Sequence, residues 1–188
     1  MRVGVVAIQG DFERHLEAIS RADSSAETRE VRVPEDLDGV ERLIIPGGES
    51  TTVGMLMQRF GLGTAIVHAA QNGMPIWGTC MGMILMAKDV AGRPDQYRLN
   101  LLDIEVTRNA FGAQVHSFED HVSIKGLKEP VTAVFIRAPV VSRAGPEVEP
   151  LGDYHGKVVA VRQGRLLGTS FHTELTDDPR MHRYFLEM

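Results

Sequence analysis

The sequence contains one cysteine, Cys80, in a setting that suits a nucleophile. Gly78-Thr79-Cys80-Met81-Gly82 has the form Gly-x-nucleophile-x-Gly, with an apolar strand-like run before it and a helical pattern after it. A sharp strand-to-helix turn of this kind pushes the central side chain out over the sheet edge, and the flanking glycines leave room for the tight backbone. The helix beginning there adds positive potential at its N-terminus, which favours a thiolate. An ordinary thiol, with a pKa of ~8.5, is only a few per cent ionised at neutral pH, so a base is still required. Out of this context a lone cysteine reads as a small buried hydrophobe. It excludes an internal disulfide and a cysteine-based zinc cluster, and no metal or cofactor is expected.

The base should be a histidine far away in the chain. Seven are present: His15, His68, His116, His121, His155, His172 and His182. Most read as surface or loop residues. His172 stands apart because it ends an apolar strand-like run, residues 166–171, and Glu174 follows two positions later. In extended chain, residues two apart point to the same side. Glu174 can then lie beside the imidazole, fix its tautomer and stabilise the imidazolium, as the third member of a triad does. His-x-Glu alone is a common surface pair, and Cys80 is what gives it meaning. A third segment, Pro46-Gly47-Gly48-Glu49-Ser50-Thr51, follows a strand and opens a helix. Its two glycines let backbone N–H groups approach a ligand, as an anion cradle or oxyanion donor. It lacks the lysine of a phosphate-binding loop, and a plain strand-to-helix turn is the bland alternative.

The elements that must position these groups alternate. Residues 2–8 read as a buried strand, and Asp11 caps a helix with Phe12, Leu16 and Ile19 on one face. Strand patterns follow at 30–33 and 42–45. Ser50 or Thr51 starts a helix through Met55, Leu56 and Phe60, and another runs from about 63 to 71, ended by Asn72-Gly73. Residues 75–78 form a fourth strand, leading through the Cys80 turn into a helix with Ile84, Leu85 and Ala87. The second half carries strands at 101–107, 131–136, 157–162 and 165–171, with a tight turn at Gln163-Gly164. Asp178-Pro179 opens a final helix. Residues 91–96 and 142–150 read as loops. The expected fold is α/β: a three-layer, open, mostly parallel sheet flanked by helices, flavodoxin-like, with an added antiparallel portion in the second half.

The 188 residues fit a single domain spanning 1–188. Net charge is -5, with no basic run, which argues against a nucleic-acid partner. No apolar run approaches the roughly 20 residues of a spanning helix, and the first residues do not read as a signal peptide, so a cytoplasmic protein is expected.

Taken together, the sequence resembles the class I, triad glutamine amidotransferases, and within them the glutaminase-subunit family of pyridoxal 5'-phosphate synthase. The segments that carry the resemblance are Leu43-Ile44-Ile45-Pro46-Gly47-Gly48-Glu49-Ser50-Thr51-Thr52, Gly78-Thr79-Cys80-Met81-Gly82, Arg108-Asn109-Ala110-Phe111-Gly112, Phe135-Ile136-Arg137-Ala138-Pro139 and Ser170-Phe171-His172-Thr173-Glu174-Leu175-Thr176, with Ala7-Ile8-Gln9-Gly10 in the first strand. The resemblance implies that Cys80 attacks the side-chain amide of L-glutamine, with His172 as base and Glu174 holding it. It implies oxyanion donors at the backbone N–H groups of Gly48 and Met81, and a glutamine site lined by Gly47, Gly48, Glu49, Arg108, Ile136 and Arg137. It implies a partner, a (β/α)8-barrel synthase subunit that receives the ammonia and makes pyridoxal 5'-phosphate, with Gln9 and Gly10 near the contact. That compound is then a product of the complex and no cofactor of this chain. Two departures stand out: Thr173 where the family usually has proline, and Met81 where a smaller residue is often seen. The competing readings are the glutaminase of another pathway such as histidine biosynthesis, a non-catalytic interaction subunit of the same fold, and a cysteine hydrolase or redox sensor. The 108–112 and 135–139 segments argue against the first, and the intact triad against the second.

Overall fold

The computed structural model describes residues 1–111 and 117–188. Gly112 and His116 lie outside the described residues. The chain begins with strand β1 (Arg2–Val6), helix α1 (Phe12–Ala22), strand β2 (Glu27–Val31) and a 3-10 turn at Pro34–Leu37. Then come β3 (Arg42–Ile45), α2 (Ser50–Arg59), α3 (Leu62–Gln71), β4 (Ile76–Thr79), α4 (Met81–Met86) and β5 (Ala87–Val90). The second half holds β6 (Leu102–Thr107), β7 (Phe118–Val122), β8 (Val131–Phe135), β9 (Val140–Ala144), β10 (Glu149–Tyr154), β11 (Lys157–Gln163), β12 (Leu166–Thr169) and α5 (Arg180–Leu186).

The main sheet runs β2-β1-β3-β4-β12-β11-β9-β6-β5, with β10 paired to β11. Its first five strands are parallel, and β12, β11, β9 and β6 pair antiparallel. β7 and β8 form a separate antiparallel pair. Strands β1, β3 and β4 are almost wholly buried, as parallel strands covered on both faces must be. One face packs Val53, Met57, Leu62, Ile66 and Leu85 of α2, α3 and α4 against Leu43, Ile45 and Ile76. The other packs Ile19, Met181 and Phe185 of α1 and α5, with Val131 and Phe135 of β8, against Val3, Val5, Ile44 and Trp77. The expected three-layer α/β sheet with an antiparallel portion is therefore present.

Several local expectations differ from the structure. β2 spans Glu27–Val31 where 30–33 was expected, because the Arg32 and Val33 amides donate to the Asp36 carboxylate, at 2.8 and 3.0 Å, and leave the ladder. Residues 142–150, expected as loop, contain the end of β9 and the start of β10. β10 is an edge strand carrying Pro150 and register shifts, and its two buried positions, Leu151 and Gly152, are adjacent, so no alternation marks it. α4 is a single all-buried stretch that stops at Met86, and Ala87 opens β5. The buried face of α1 is His15, Ala18 and Ile19, while Phe12 and Leu16 are only half-buried. α2 does start at Ser50, but its cap is Glu49, whose carboxylate accepts from the Thr51 and Thr52 amides at 2.9 and 2.7 Å.

Among the described residues no helix is long and apolar enough to cross a membrane.

The turn after β4 brings backbone close against backbone. A Cβ on Gly82 would fall 1.9 Å from the Ile45 carbonyl oxygen, and one on Gly78 would fall 2.5 Å from the Gly82 carbonyl carbon. Gly82→Ala is accordingly expected to cost about 2–3 kcal/mol, since backbone on backbone cannot give way as a side chain can. Urea unfolding of the variant measures this, and an unchanged midpoint contradicts it.

Candidate active site

Gly47, Cys80 and His172 follow the carboxyl ends of the neighbouring parallel strands β3, β4 and β12. Open α/β sheets place ligands at that edge. Cys80 has φ 50 and ψ -103, a positive φ that side-chain-bearing residues rarely adopt and that costs about 1–3 kcal/mol. Its amide donates to the Thr169 carbonyl at 2.7 Å, locking the turn to the end of β12. The elbow inferred from the sequence is therefore a real backbone feature. Its half-buried thiol lies 3.9 Å from the Ile136 carbonyl oxygen.

His172 continues past β12 and forms a bridge to Val134 of β8, its N–H donating at 2.8 Å and its carbonyl accepting at 3.2 Å. β8 then runs directly into Ile136 and Arg137, so one strand both holds the imidazole's backbone and delivers residues to the cleft. The ring packs against bare backbone: a Cβ on Gly47 would lie 2.4 Å from His172 Cε1. His172 Nδ1 meets Glu174 Oε1 at 2.5 Å, and both side chains are buried. Burial opposes the charged imidazolium, but hydrogen bonding to Cys80 and Glu174, with their negative charge, outweighs it and raises the pKa well above 6.5. For Glu174, burial opposes ionisation, and the imidazoles of His15 and His172 overcome it, bringing the carboxyl down to about 2. The raised His172 pKa stabilises the fold below pH 6.5 and loses that contribution as pH rises through the folded value. The lowered Glu174 pKa acts above pH 4.5 and is lost as pH falls through about 2.

The cleft above these groups has a volume of about 410 Å³, within the range of small-molecule sites. Cys80, Met81, His172, Gly47, Gly48, Glu49, Arg108, Ile136 and Arg137 all line it, together with Gln9 and Gly10. Glu174 lies behind His172 and does not. Arg137 and Asn109 adopt positive φ, 45° and 51°, so two loop residues at the rim are held in uncommon conformations. The Arg108 guanidinium donates to Gln96 Oε1 at 3.2 Å, which leaves donors free. The Glu49 carboxylate is held near pKa 2 by the amides it caps, so it is a fixed negative charge at the cleft lip. Gln9 Oε1 accepts from the Glu49 amide at 3.2 Å and ties the first strand's end to this loop. Met81 is buried, and its terminal methyl would lie 3.3 Å from a Cβ at Gly48, so the larger side chain does fill space beside the Gly-Gly turn. Thr173 is buried, and its hydroxyl has no partner among the described residues. Among the described residues no group of His, Cys, Asp and Glu could hold a metal ion.

Two histidines expected at the surface are in the core. His15 of α1 and His182 of α5 are fully buried, and His15 Nε2 lies 3.5 Å from Glu174 Oε1. The sequence did carry a signal for His15: it falls on the same helical face as Ala18 and Ile19, the residues that are buried.

The comparisons with known proteins agree with this geometry. The profile of the SNO glutamine amidotransferase family matches residues 5–188. The pyridoxal 5'-phosphate synthase subunit PdxT of Roseiflexus sp. (strain RS-1) is 52% identical over 191 residues, covering 100% of both chains. PdxT of a Thermus thermophilus strain is 50% identical over 187 residues, covering 99% of this chain and 96% of its own. A solved structure described as a glutamine amidotransferase superposes with a TM-score of 0.93 at 49% identity, over 98% of this chain and 97% of that one. With a family profile that matches nearly the whole chain and relatives about half identical over their full length, the chain belongs to the SNO glutamine amidotransferase family.

Proposed function

We propose that this chain is the glutaminase subunit of a pyridoxal 5'-phosphate synthase, hydrolysing L-glutamine to L-glutamate and ammonia through Cys80, His172 and Glu174. The observation that carries the reading is the buried His172–Glu174 pair at 2.5 Å, set beside the Cys80 elbow in one cleft. The relatives named PdxT support the assignment to vitamin B6 synthesis.

In this mechanism the glutamine side-chain amide enters the cleft with its carbonyl carbon against Cys80 Sγ. With the thiol proton held on His172, the sulfur adds to the carbon. Negative charge collects on the amide oxygen, and the N–H groups of Met81 and Gly48 donate hydrogen bonds to it. His172 delivers its proton to the nitrogen, the C–N bond breaks, and ammonia leaves a glutamyl thioester. Water then adds with His172 as base, and glutamate is released. Glu174 keeps the Nδ1–H tautomer and stabilises the imidazolium at both proton transfers. Arg108 faces the substrate's α-carboxylate and Glu49 its α-ammonium, while Gly47, Ile136 and Arg137 close the walls. The ammonia passes to a separate (β/α)8-barrel subunit, docked near Gln9 and Gly10, within a cytoplasmic complex. The chain acts as one amidotransferase domain.

Glutamate and ammonia release from glutamine, measured with and without a purified synthase subunit, tests the reading. Cys80→Ala is expected to lose roughly 10⁴-fold or more in kcat while still co-migrating with the synthase. Full activity of that variant sinks the mechanism. Glu174→Gln removes the charge that offsets burial at His172, so the imidazole pKa is expected to fall from its raised value. NMR titration of the ring reads that shift directly, and kcat should drop about 10²–10⁴-fold.

A further inference from the structure

The triad carboxylate has a second imidazole beside it. His15 Nε2 lies 3.5 Å from Glu174 Oε1, the oxygen that also meets His172. His15 Nε2 is hydrogen-bonded with the Thr79 hydroxyl at 3.2 Å, and His15 Nδ1 with His182 Nε2 at 3.0 Å. The indole of Trp77 stands edge-on to both rings and donates to Thr169 Oγ1 at 3.0 Å. His15, His182, Trp77, Thr79 and Thr169 are all fully buried. Two imidazoles taken out of water are costly to bury, and the glutaminase mechanism above uses neither.

The hydrogen-bond pattern selects one tautomer for each ring. Among the described residues His182 Nδ1, which is buried, has no partner. A bare ring lone pair there is tolerable, whereas an orphaned N–H is the costlier defect. The His182 proton is therefore on Nε2 and is donated to His15 Nδ1. Neutral His15 then carries its own proton on Nε2, facing the Thr79 hydroxyl and the Glu174 carboxylate. The alternative would aim an Nε2 lone pair at a carboxylate oxygen 3.5 Å away. Burial pushes the His15 pKa down, against the attraction of Glu174 and the more distant Asp11 and with the repulsion of His172. Near neutral pH the ring therefore presents a dipole, and it becomes a cation only at acid pH, where its charge helps hold the Glu174 carboxyl down.

We propose that His15 is a positioning residue of the triad: its Nε2–H, oriented by His182 and Thr79, holds the Glu174 carboxylate in place for His172. It rests on the glutaminase reading. A neutral donor supports the carboxylate without drawing its charge away from the catalytic imidazole, which a lysine or arginine in that place would do.

Side-chain reach makes the idea testable. His15→Gln can keep an N–H near the Nε2 position, while His15→Asn keeps one only near Nδ1. Steady-state glutamine hydrolysis is measured with the synthase subunit present, alongside wild type and Cys80→Ala. His15→Asn and His15→Leu are expected to lose about 10-fold or more in kcat with KM for glutamine within about twofold of wild type. His15→Gln is expected to stay within about threefold of wild type. If His15→Leu does not fold, the Gln and Asn pair still decides. Wild-type kcat in His15→Asn, or an equal loss in His15→Gln and His15→Asn, overturns the proposal. An inactive wild type overturns the glutaminase reading itself, whereas an active wild type and a dead Cys80→Ala confine any failure to His15.

Discussion

Thr79 and Thr169 are partners in the parallel pairing of β4 with β12, and the amide one residue beyond Thr79 donates to the Thr169 carbonyl. That register decides where the chain can turn. β4 breaks abruptly into α4 through the uncommon backbone of Cys80, while the chain beyond β12 bends through Ser170 and Phe171 and is caught again at His172 by its bridge to Val134. Two groups ninety-odd positions apart thereby leave adjacent strands at the same level of the sheet. A slip of one residue in either strand would send one side chain to the opposite face, because side chains alternate along a strand. The buried runs of β3 and β4 and the glycine-only contacts between Gly78, Gly82 and Ile45 make such a slip costly.

The electrostatic arrangement follows from the same burial. A carboxylate taken out of water needs partners, and Glu174 finds them in imidazoles on two sides of the sequence, one from β12's extension and one from α1. The helices that close this face are therefore more than packing. α1 supplies His15, α5 supplies His182, and the two are joined by a hydrogen bond across the layer. Stability and site chemistry draw on the same contacts here, which is why the polar residues of this layer are few and tightly enclosed.

Much of this was legible in the sequence. β3 was read to its ends, and α2 and α3 nearly so, because strong periodicity and Gly or Pro punctuation mark them. The Cys80 turn and the His172–Glu174 pair were legible because their chemistry needs particular residue types in particular settings. β5, β7, β9 and β10 were not: β7 and β10 pair on one side only and carry little alternation, β9 lies inside the sheet but exposes its second half, and β5 follows a buried helix with no break in the apolar run. β2 was misplaced by two or three residues because Val33 looks like a strand residue until Asp36 captures its amide. The core histidines were missed for a related reason. Polar residue types are expected outside, and only their position on the helix, or a partner already known, argues otherwise.

The bridge between Val134 and His172 gives the imidazole a second anchor outside its own strand. β12 ends at Thr169, and without that bridge the segment beyond it would be a cantilever, free to sway at its far end. With it, the segment is a beam fixed at both ends, and the outer support is itself set among aromatic rings, with Phe135 stacked on Phe118 at 4.9 Å and edge-on to Phe171 at 5.7 Å. The imidazole is therefore stiffly held at the cleft, and of the two groups there the sulfur is the freer, turning about the single Cα–Cβ bond of Cys80.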